Sequence, residues 1–291
     1  MSARRRRRAA PHLPRGTESI APGSGEASGR GDGRAGPGDR APRPGGSLRY
    51  RVPEGVLISE TFVSLQGEGT LTGVPSWFCR FSGCNLRCAW CDTPYASWAP
   101  SGDKRSVEDL LAEARGAGVG HAVLTGGEPM IFPALEPLCR GLRAAGLHIT
   151  IETAGTVDRE VDFDLLSLSP KLANSTPRDD PRDPGGKWAS LHEARRIDLG
   201  TLQGLLDRSG PGSGRARQLK FVVAAPDDLP EIERLLAGLR GVRPEEVLLM
   251  PEGTGAPGPE RTGFVVEACL KRGWRYCHRL HIELFGNTRG T

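Results

Sequence analysis

The chain has 291 residues, of which 37% are hydrophobic and 25% are charged, a composition that permits a globular core in one large domain or two small ones. The formal net charge is +4, and no apolar run approaches the length of a membrane-spanning helix, which argues against a membrane protein. The cysteines number seven, an odd count with three crowded together, which argues against a disulfide framework and favours a reducing, cytoplasmic compartment.

The first 48 residues differ in composition from the rest. They contain ten glycines, six prolines and ten arginines against four acidic residues, so this segment carries a net +6 and the remainder a net −2. Such a segment cannot bury enough apolar surface to offset its ordering entropy, so we expect a disordered tail over residues 1–48 and a core domain over residues 49–291. The arginine run can contact RNA or acidic surfaces, but we favour a dispensable extension, and the core itself gives no reason to expect nucleic acid.

The core alternates strands and helices in chain order. Strands are predicted at residues 56–63, 76–81, 121–125, 147–152, 163–169, 218–223, 246–250 and 275–283. Helices are predicted at residues 106–117, with Ser106 as the N-cap, and at 133–145, 190–207, 229–239 and 261–272. This alternation implies six or seven parallel βα units, fewer than the eight of a closed barrel, with catalytic groups at the carboxyl ends of the strands.

Three cysteines follow the second predicted strand. Cys84, Cys88 and Cys91 have the spacing C-x3-C-x2-C, and thiolates this close in sequence can bind one soft metal centre. A group of three suggests a centre with one open position, which a [4Fe-4S] cluster with one free iron would provide. The alternatives are a zinc site with a distant fourth ligand or an ordinary surface loop. Buried structural thiols are expected at the other four positions, Cys79, Cys139, Cys269 and Cys277.

A second motif lies one strand–helix unit downstream. Residues 126–129 are Gly-Gly-Glu-Pro, and together with the cysteine spacing they resemble the radical S-adenosylmethionine (SAM) superfamily. Five further segments carry a closer resemblance: residues 66–69 (Gln-Gly-Glu-Gly), 78–81, 83–86, 91–93 (Cys-Asp-Thr) and 152–156. Because of these segments, residues 56–285 are similar to 7-carboxy-7-deazaguanine synthases. The resemblance implies an open partial (β/α)6 barrel of the radical SAM type and a carbon–nitrogen lyase of queuosine and 7-deazapurine biosynthesis.

The resemblance also implies the cofactors. Cys84, Cys88 and Cys91 would hold the [4Fe-4S] cluster, and the hydroxyl of Thr93 would bind Mg²⁺, unless it caps the following turn. The residues expected to contact SAM follow predicted strands: Gly126, Gly127, Glu128, Glu152, Thr153, Ser169 and Lys171. Lys171 has the alternative of an ordinary solvated lysine.

The implied substrate is 6-carboxy-5,6,7,8-tetrahydropterin. Gln66 and Glu68 can bond the amidine-like edge of a pterin, and Arg80 can bind its carboxylate through two parallel hydrogen bonds. A structural ion pair is the alternative role for Arg80. His281 is expected to face the substrate, with His278 as the competing histidine.

The implied reaction is a ring contraction. A 5′-deoxyadenosyl radical would abstract the hydrogen at C6, ammonia would leave, SAM would be regenerated, and 7-carboxy-7-deazaguanine would form. A donor such as flavodoxin or ferredoxin would reduce the cluster, and a homodimer is expected by analogy. A glycyl-radical activase would share the cysteine and Gly-Gly-Glu-Pro motifs but would not need Gln66, Glu68 and Arg80 together. A non-catalytic zinc or redox-sensing protein is the alternative from another class.

Overall fold

A nine-stranded sheet with helices packed on its outer face forms the core of the computed structural model, which describes residues 55–291. The strands are β1 (Val56–Leu65), β2 (Pro75–Phe81), β3 (Asp103–Arg105), β4 (His121–Gly126), β5 (His148–Thr153), β6 (Leu165–Leu168), β7 (Ala216–Val223), β8 (Val247–Pro251) and β9 (Arg275–Tyr276). The helices are α1 (Val107–Gly116), α2 (Leu135–Ala144), α3 (Lys187–Arg195), α4 (Leu199–Asp207), α5 (Leu229–Ala237), α6 (Pro259–Arg272) and α7 (Leu280–Phe285). The predicted tail over residues 1–48 lies outside the described residues.

The strand order confirms the predicted α/β partial barrel. Strands β2, β4, β5, β6, β7 and β8 are neighbours in this order and run parallel, with β9 added at the end. On the other side, β1 pairs antiparallel with β2, and the short β3 pairs antiparallel with β1. The alternating pattern did not predict β3 or this antiparallel edge. None of the helices between residues 55 and 291 has both the length and the apolar character needed to cross a membrane.

The predicted last strand, residues 275–283, is correct only at its start. β9 pairs with β8 over two residues, and the chain then turns across the mouth of the barrel into α7. The backbone N–H of Leu280 donates to the carbonyl oxygen of Gly67 at 2.9 Å, which ties this turn to the segment after β1. His281 therefore lies in the first turn of a helix and not on a strand.

The predicted helix over residues 190–207 is two helices, α3 and α4. Asp198 breaks the run because its side chain accepts a hydrogen bond from the backbone N–H of Thr201 at 3.0 Å and so starts a new helix. The prediction for α1 is confirmed, since the Ser106 hydroxyl accepts from the backbone N–H of Asp109 at 3.0 Å. Local capping chemistry thus explains both helix starts.

The two faces of the sheet carry different side chains. Trp77, Cys79 and Phe81 of β2 are almost fully buried between the sheet and the outer helices. Phe78 and Arg80, at the alternate positions, line the barrel interior, as predicted from the period of a strand. Burying a large apolar side chain contributes about 1.5–3 kcal/mol, so the outer face stabilises the fold and the inner face is available for polar groups.

A buried histidine lies at the amino ends of the strands, opposite the barrel mouth. His121 Nδ1 is 2.6 Å from the Ser76 hydroxyl, which donates its own proton to the carbonyl of Val74, so Nδ1 carries the imidazole proton. Nε2 lies 2.8 Å from the Thr150 hydroxyl and accepts from it. Burial, and then the charge of His148, lower the pKa of His121 to about 4. The folded protein therefore holds this imidazole neutral.

We predict that His121 makes folding stability depend on pH. Its pKa is about 4 in the folded protein and about 6.5 in the unfolded chain. As pH falls from 6.5 to 4, the imidazole therefore gains a proton in the unfolded chain but not in the folded protein. The free energy of unfolding decreases by about 3 kcal/mol over that range. Denaturant unfolding followed by circular dichroism should show a smaller decrease in His121→Gln. Identical pH profiles for the two proteins would contradict the prediction.

Candidate active site

One cavity opens at the carboxyl ends of the parallel strands. Its wall contains every residue predicted to contact a cofactor or substrate except Glu128. The predicted members are Gln66, Glu68, Arg80, Cys84, Cys88, Cys91, Thr93, Gly126, Gly127, Glu152, Thr153, Ser169, Lys171 and His281. Parallel strands bring these residues together because their carboxyl ends share one edge of the sheet.

The backbone of the cysteine loop is held by hydrogen bonds to the segment that follows β6 and to Trp98. The backbone N–H of Ala89 donates to the carbonyl of Ser175 at 2.8 Å. The backbone N–H of Arg87 donates to Nδ1 of the buried His192 at 3.1 Å, so the proton of that imidazole is on Nε2, 2.9 Å from the Ser175 hydroxyl. The Trp98 indole N–H donates to the carbonyl of Cys88 at 2.9 Å. These contacts fix the loop without using the thiols.

The three loop thiols suit an iron–sulfur cluster. Cys84, Cys88 and Cys91 are free and line the cavity together. Burial raises the pKa of Cys84 to about 12 and that of Cys88 above its usual range, so these two thiols are protonated without a metal, and metal binding would release their protons. Among residues 55–291, no three His, Cys, Asp or Glu side chains converge on a single metal ion. A [4Fe-4S] cluster needs thiols spread around it, because each binds a different iron atom.

The Gly-Gly-Glu-Pro turn contributes its backbone to the cavity. A Cβ atom on Gly126 would lie 2.2 Å from the Phe81 carbonyl oxygen, and one on Gly127 would lie 2.1 Å from that of Gly83. Gly126 also has φ +134°, a conformation that other residues rarely adopt. Only glycine therefore lets this turn pack directly against the cysteine loop.

Glu128 was predicted to contact SAM, but its carboxylate is fully buried behind the cavity wall. It accepts hydrogen bonds from the Thr153 hydroxyl at 2.7 Å and from the backbone N–H groups of Ala154 and Met130 at 2.8 and 3.0 Å. Burial raises the pKa of Glu128 above its usual value, although these bonds favour the charged form. In this structure, Glu128 fixes the end of β5 against the glycine turn.

The turn after β1 is attached to several strands and to α7. The Gln66 side-chain amide donates to Glu152 at 3.2 Å, and the Thr125 hydroxyl donates to the other Glu152 oxygen at 3.0 Å. A Cβ atom on Gly67 would lie 1.9 Å from Nδ1 of His281, so the two residues are in close contact. His281 faces the cavity, whereas His278 pairs with Glu283 outside it, at 2.5 Å. This supports the choice of His281.

A buried charge network links this turn to the cysteine loop. The Glu68 carboxylate accepts from the Lys220 ammonium and, at 3.2 Å, from Nε of Arg279. Arg279 also donates to Asp92 at 2.5 Å and to the carbonyl of Gly253. Burial alone would raise the pKa of Glu68, but the charges of Lys220 and Arg279 lower it well below its usual range. Glu68 is therefore a permanent anion.

Two residues of this network, Lys220 and Arg279, were not predicted from the sequence. A signal for Lys220 was present, since a lysine inside an apolar strand is buried only with a partner. Arg279 gave no comparable signal, because its function depends on the turn into α7.

Three further predicted contacts have defined geometry. Lys171 is not a solvated lysine, because its ammonium donates to the Ser169 carbonyl and hydroxyl, each at 2.8 Å. The Thr93 hydroxyl makes no capping bond to the next turn, is 3.8 Å from the Cys91 sulfur and faces the cavity. Arg80 pairs with Glu60 through Nε at 2.6 Å and also lines the cavity, so both of its proposed roles are compatible with the structure.

Comparisons with known proteins give a consistent result. A model of the Radical SAM superfamily matches residues 79–172. A protein named 7-carboxy-7-deazaguanine synthase from Rhodopirellula baltica is 49% identical over 239 residues, 81% of this chain and 89% of the relative. Another of that name from Halobacterium salinarum is 46% identical over 242 residues, 80% and 92% of the two chains. The crystal structure of QueE from Escherichia coli matches with a TM-score of 0.58 and 30% identity over 78% of this chain and 95% of the other.

We predict that the three loop cysteines alone retain iron. Alanine at Cys84, Cys88 or Cys91 should abolish iron retention and activity, because each removes one thiolate of the cluster. Cys139→Ala and Cys269→Ala are matched controls, since both thiols are buried in helices away from the cavity. Iron content and visible absorbance after anaerobic reconstitution measure the effect. Equal iron loss from Cys269→Ala would refute the assignment.

Proposed function

The chain belongs to the 7-carboxy-7-deazaguanine synthase family of radical SAM enzymes, and we propose that it converts 6-carboxy-5,6,7,8-tetrahydropterin to 7-carboxy-7-deazaguanine with loss of ammonia. It is a radical SAM lyase of queuosine or 7-deazapurine biosynthesis, so the glycyl-radical activase and zinc-protein alternatives are not supported. The observation that carries the proposal is the single cavity in which three free thiols, a glycine turn and a set of paired charges meet.

The residues around the thiols suit SAM. When bound, the [4Fe-4S] cluster and SAM supply a 5′-deoxyadenosyl radical, which takes the hydrogen from C6 of the substrate. Cys84, Cys88 and Cys91 would hold the cluster, and SAM would bind beside them at the iron that no cysteine binds. The backbone of Gly126 and Gly127 and the side chain of Ser169 border the same space. Glu152 is already oriented by Gln66 and Thr125, so it can accept a hydrogen bond without rearranging.

Glu68 and Lys220 suit the pterin edge, which presents two N–H donors followed by a carbonyl oxygen. A carboxylate has about four acceptor positions, and Lys220 and Arg279 occupy two of those on Glu68, so two are left for the two N–H groups. The Lys220 ammonium has three donors and uses one on Glu68, which leaves donors for the carbonyl oxygen. The pair thus matches the donor–donor–acceptor order of the edge.

Mg²⁺ is proposed at Thr93. Its hydroxyl faces the cavity and makes no capping bond, and Mg²⁺ prefers hard oxygen ligands while needing few from the protein. The remaining ligands would come from substrate and water.

The partners are proposed from the family. Flavodoxin or ferredoxin would reduce the cluster, and two copies would form a homodimer. All seven cysteines are free thiols, which suits a reducing cytoplasm.

Turnover is the direct test. The protein, reconstituted anaerobically, should form 7-carboxy-7-deazaguanine and ammonia from 6-carboxytetrahydropterin with SAM and dithionite, and SAM should not be consumed in proportion to product. Chromatography of the product and of SAM measures both. A reconstituted protein that cleaves SAM but leaves the pterin intact would contradict the proposed substrate.

Arg80→Lys should weaken binding of the carboxylated pterin. Lysine keeps the charge but loses the planar fork, so a charge-assisted bond of about 1.5–3 kcal/mol is lost, roughly tenfold to a hundredfold in affinity. Titration in the presence of SAM should show little change for a tetrahydropterin without the carboxylate, and the iron content should match the parent. Unchanged binding of both pterins would mean that Arg80 serves only its ion pair with Glu60.

A further inference from the structure

Strand β1 changes face in its middle. Ile58 is buried in the core beneath the outer helices, so Glu60, two residues later, would point to the same side in a regular strand. Instead, Glu60 contacts Arg80, which lines the cavity. The pairing register explains this, because Ile58 opposes Phe81 while Glu60 opposes Arg80, which leaves Ser59 as an extra residue. This is a β-bulge, and a bulge of this kind re-aims the side chains that follow it.

The hydroxyl and the carbonyl of Ser59 in the bulge both have hydrogen-bond partners. The Ser59 hydroxyl donates to the carbonyl of Ser101 at 2.9 Å, and the Ser59 carbonyl accepts from Nη2 of Arg289 at 2.6 Å. Arg289 also donates from Nε to Glu60 at 3.0 Å and stacks over the ring of Tyr95, with 4.3 Å between guanidinium carbon and ring centre. The bulge is thus a well-supported feature that delivers Glu60 to the cavity side.

Glu60 determines which nitrogen atoms of Arg80 remain available to bind a ligand. One of its oxygens accepts from Nε of Arg80 at 2.6 Å and from the Tyr95 hydroxyl at 2.8 Å. Within residues 55–291, no protein acceptor bonds Nη1 or Nη2 of Arg80. The two terminal nitrogens are therefore left as a fork, which fits a carboxylate.

The charges of this cluster favour an anion. Glu60 contributes −1, and Arg80 and Arg289 contribute +2, so these three paired side chains carry a net +1; the carboxylate of Asp92, itself paired with Arg279, also acts on Arg80. Only 17% of the Arg80 side chain and 10% of the Glu60 side chain are exposed. A buried ion pair gives little net stability compared with apolar packing, so stability alone is a weak reason for placing this pair beside the cavity.

We propose that Glu60 is a positioning residue, which orients the Arg80 guanidinium so that its two terminal nitrogens face the substrate carboxylate. The inference rests on the proposed function, because it takes the carboxylated pterin as the ligand. Tyr95 and Arg289 hold Glu60 in turn, so Glu60 is the centre of this arrangement.

The test compares two ligands with three variants. Affinities for 6-carboxytetrahydropterin and for the tetrahydropterin lacking the carboxylate are measured by anaerobic titration of the reconstituted protein with SAM. Glu60→Ala should weaken the carboxylated ligand about tenfold and leave the other nearly unchanged. Glu60→Gln, which retains an oxygen for Nε, should retain most of the affinity. The double variant Glu60→Ala with Arg80→Lys should bind no more weakly than Arg80→Lys alone.

Glu246→Ala is the matched control, since Glu246 is a buried partner of Arg217 at the amino end of β8. It should lower the melting temperature without changing the ratio of the two affinities. The proposal is overturned if Glu60→Ala weakens both ligands equally or strengthens the carboxylated one, or if the double variant shows additive losses. A parent protein that does not distinguish the two ligands would instead overturn the substrate assignment.

Discussion

The mouth of the barrel contains charges that can be buried only because opposite charges lie beside them. Glu68, Lys220, Arg279 and Asp92 form one chain of ion pairs, in which Glu68 and Lys220 have only 13% and 7% of their side chains exposed. An isolated buried charge costs several kcal/mol, so removing one partner of an ion pair would destabilise the protein by leaving the other charge buried without compensation. The position of each side chain is therefore set by its neighbours in the network.

This network connects parts of the chain that are distant in sequence. Glu68 follows β1, Asp92 follows the last cluster cysteine, Lys220 is within β7, and Arg279 precedes α7. Arg279 by itself bonds Glu68 in the turn after β1, Asp92 directly after the cysteine loop, and the carbonyl of Gly253. These ion pairs hold the turn after β1 against the segment that follows Cys91, so this part of the cavity wall is preorganised.

The sequence predicted what depends on short-range patterns. The cysteine spacing, the glycine turn and the strand ends led to 14 of the 30 residues that line the cavity, and strand periodicity placed Arg80 on its inner face. What it missed depends on distant contacts. The bulge at Ser59 is visible only in the pairing of β1 with β2, and the turn into α7 depends on a bond from Leu280 to Gly67. The buried role of Glu128 likewise depends on β5, which the motif itself does not contain.

Two groups of charged residues beside the cavity differ in net charge in a way that suits the proposed substrate. Two anions and two cations make the network around Glu68 and Lys220 neutral, and the pterin edge assigned to it is neutral as well. The cluster of Glu60, Arg80 and Arg289 carries a net +1, and the carboxylate assigned to it carries −1. A pterin bound in the reverse orientation would place its carboxylate beside a network with no net positive charge and would leave the Arg80 fork without an anion. Charge therefore favours one orientation of the proposed substrate, although both groups of residues are rich in hydrogen-bonding atoms.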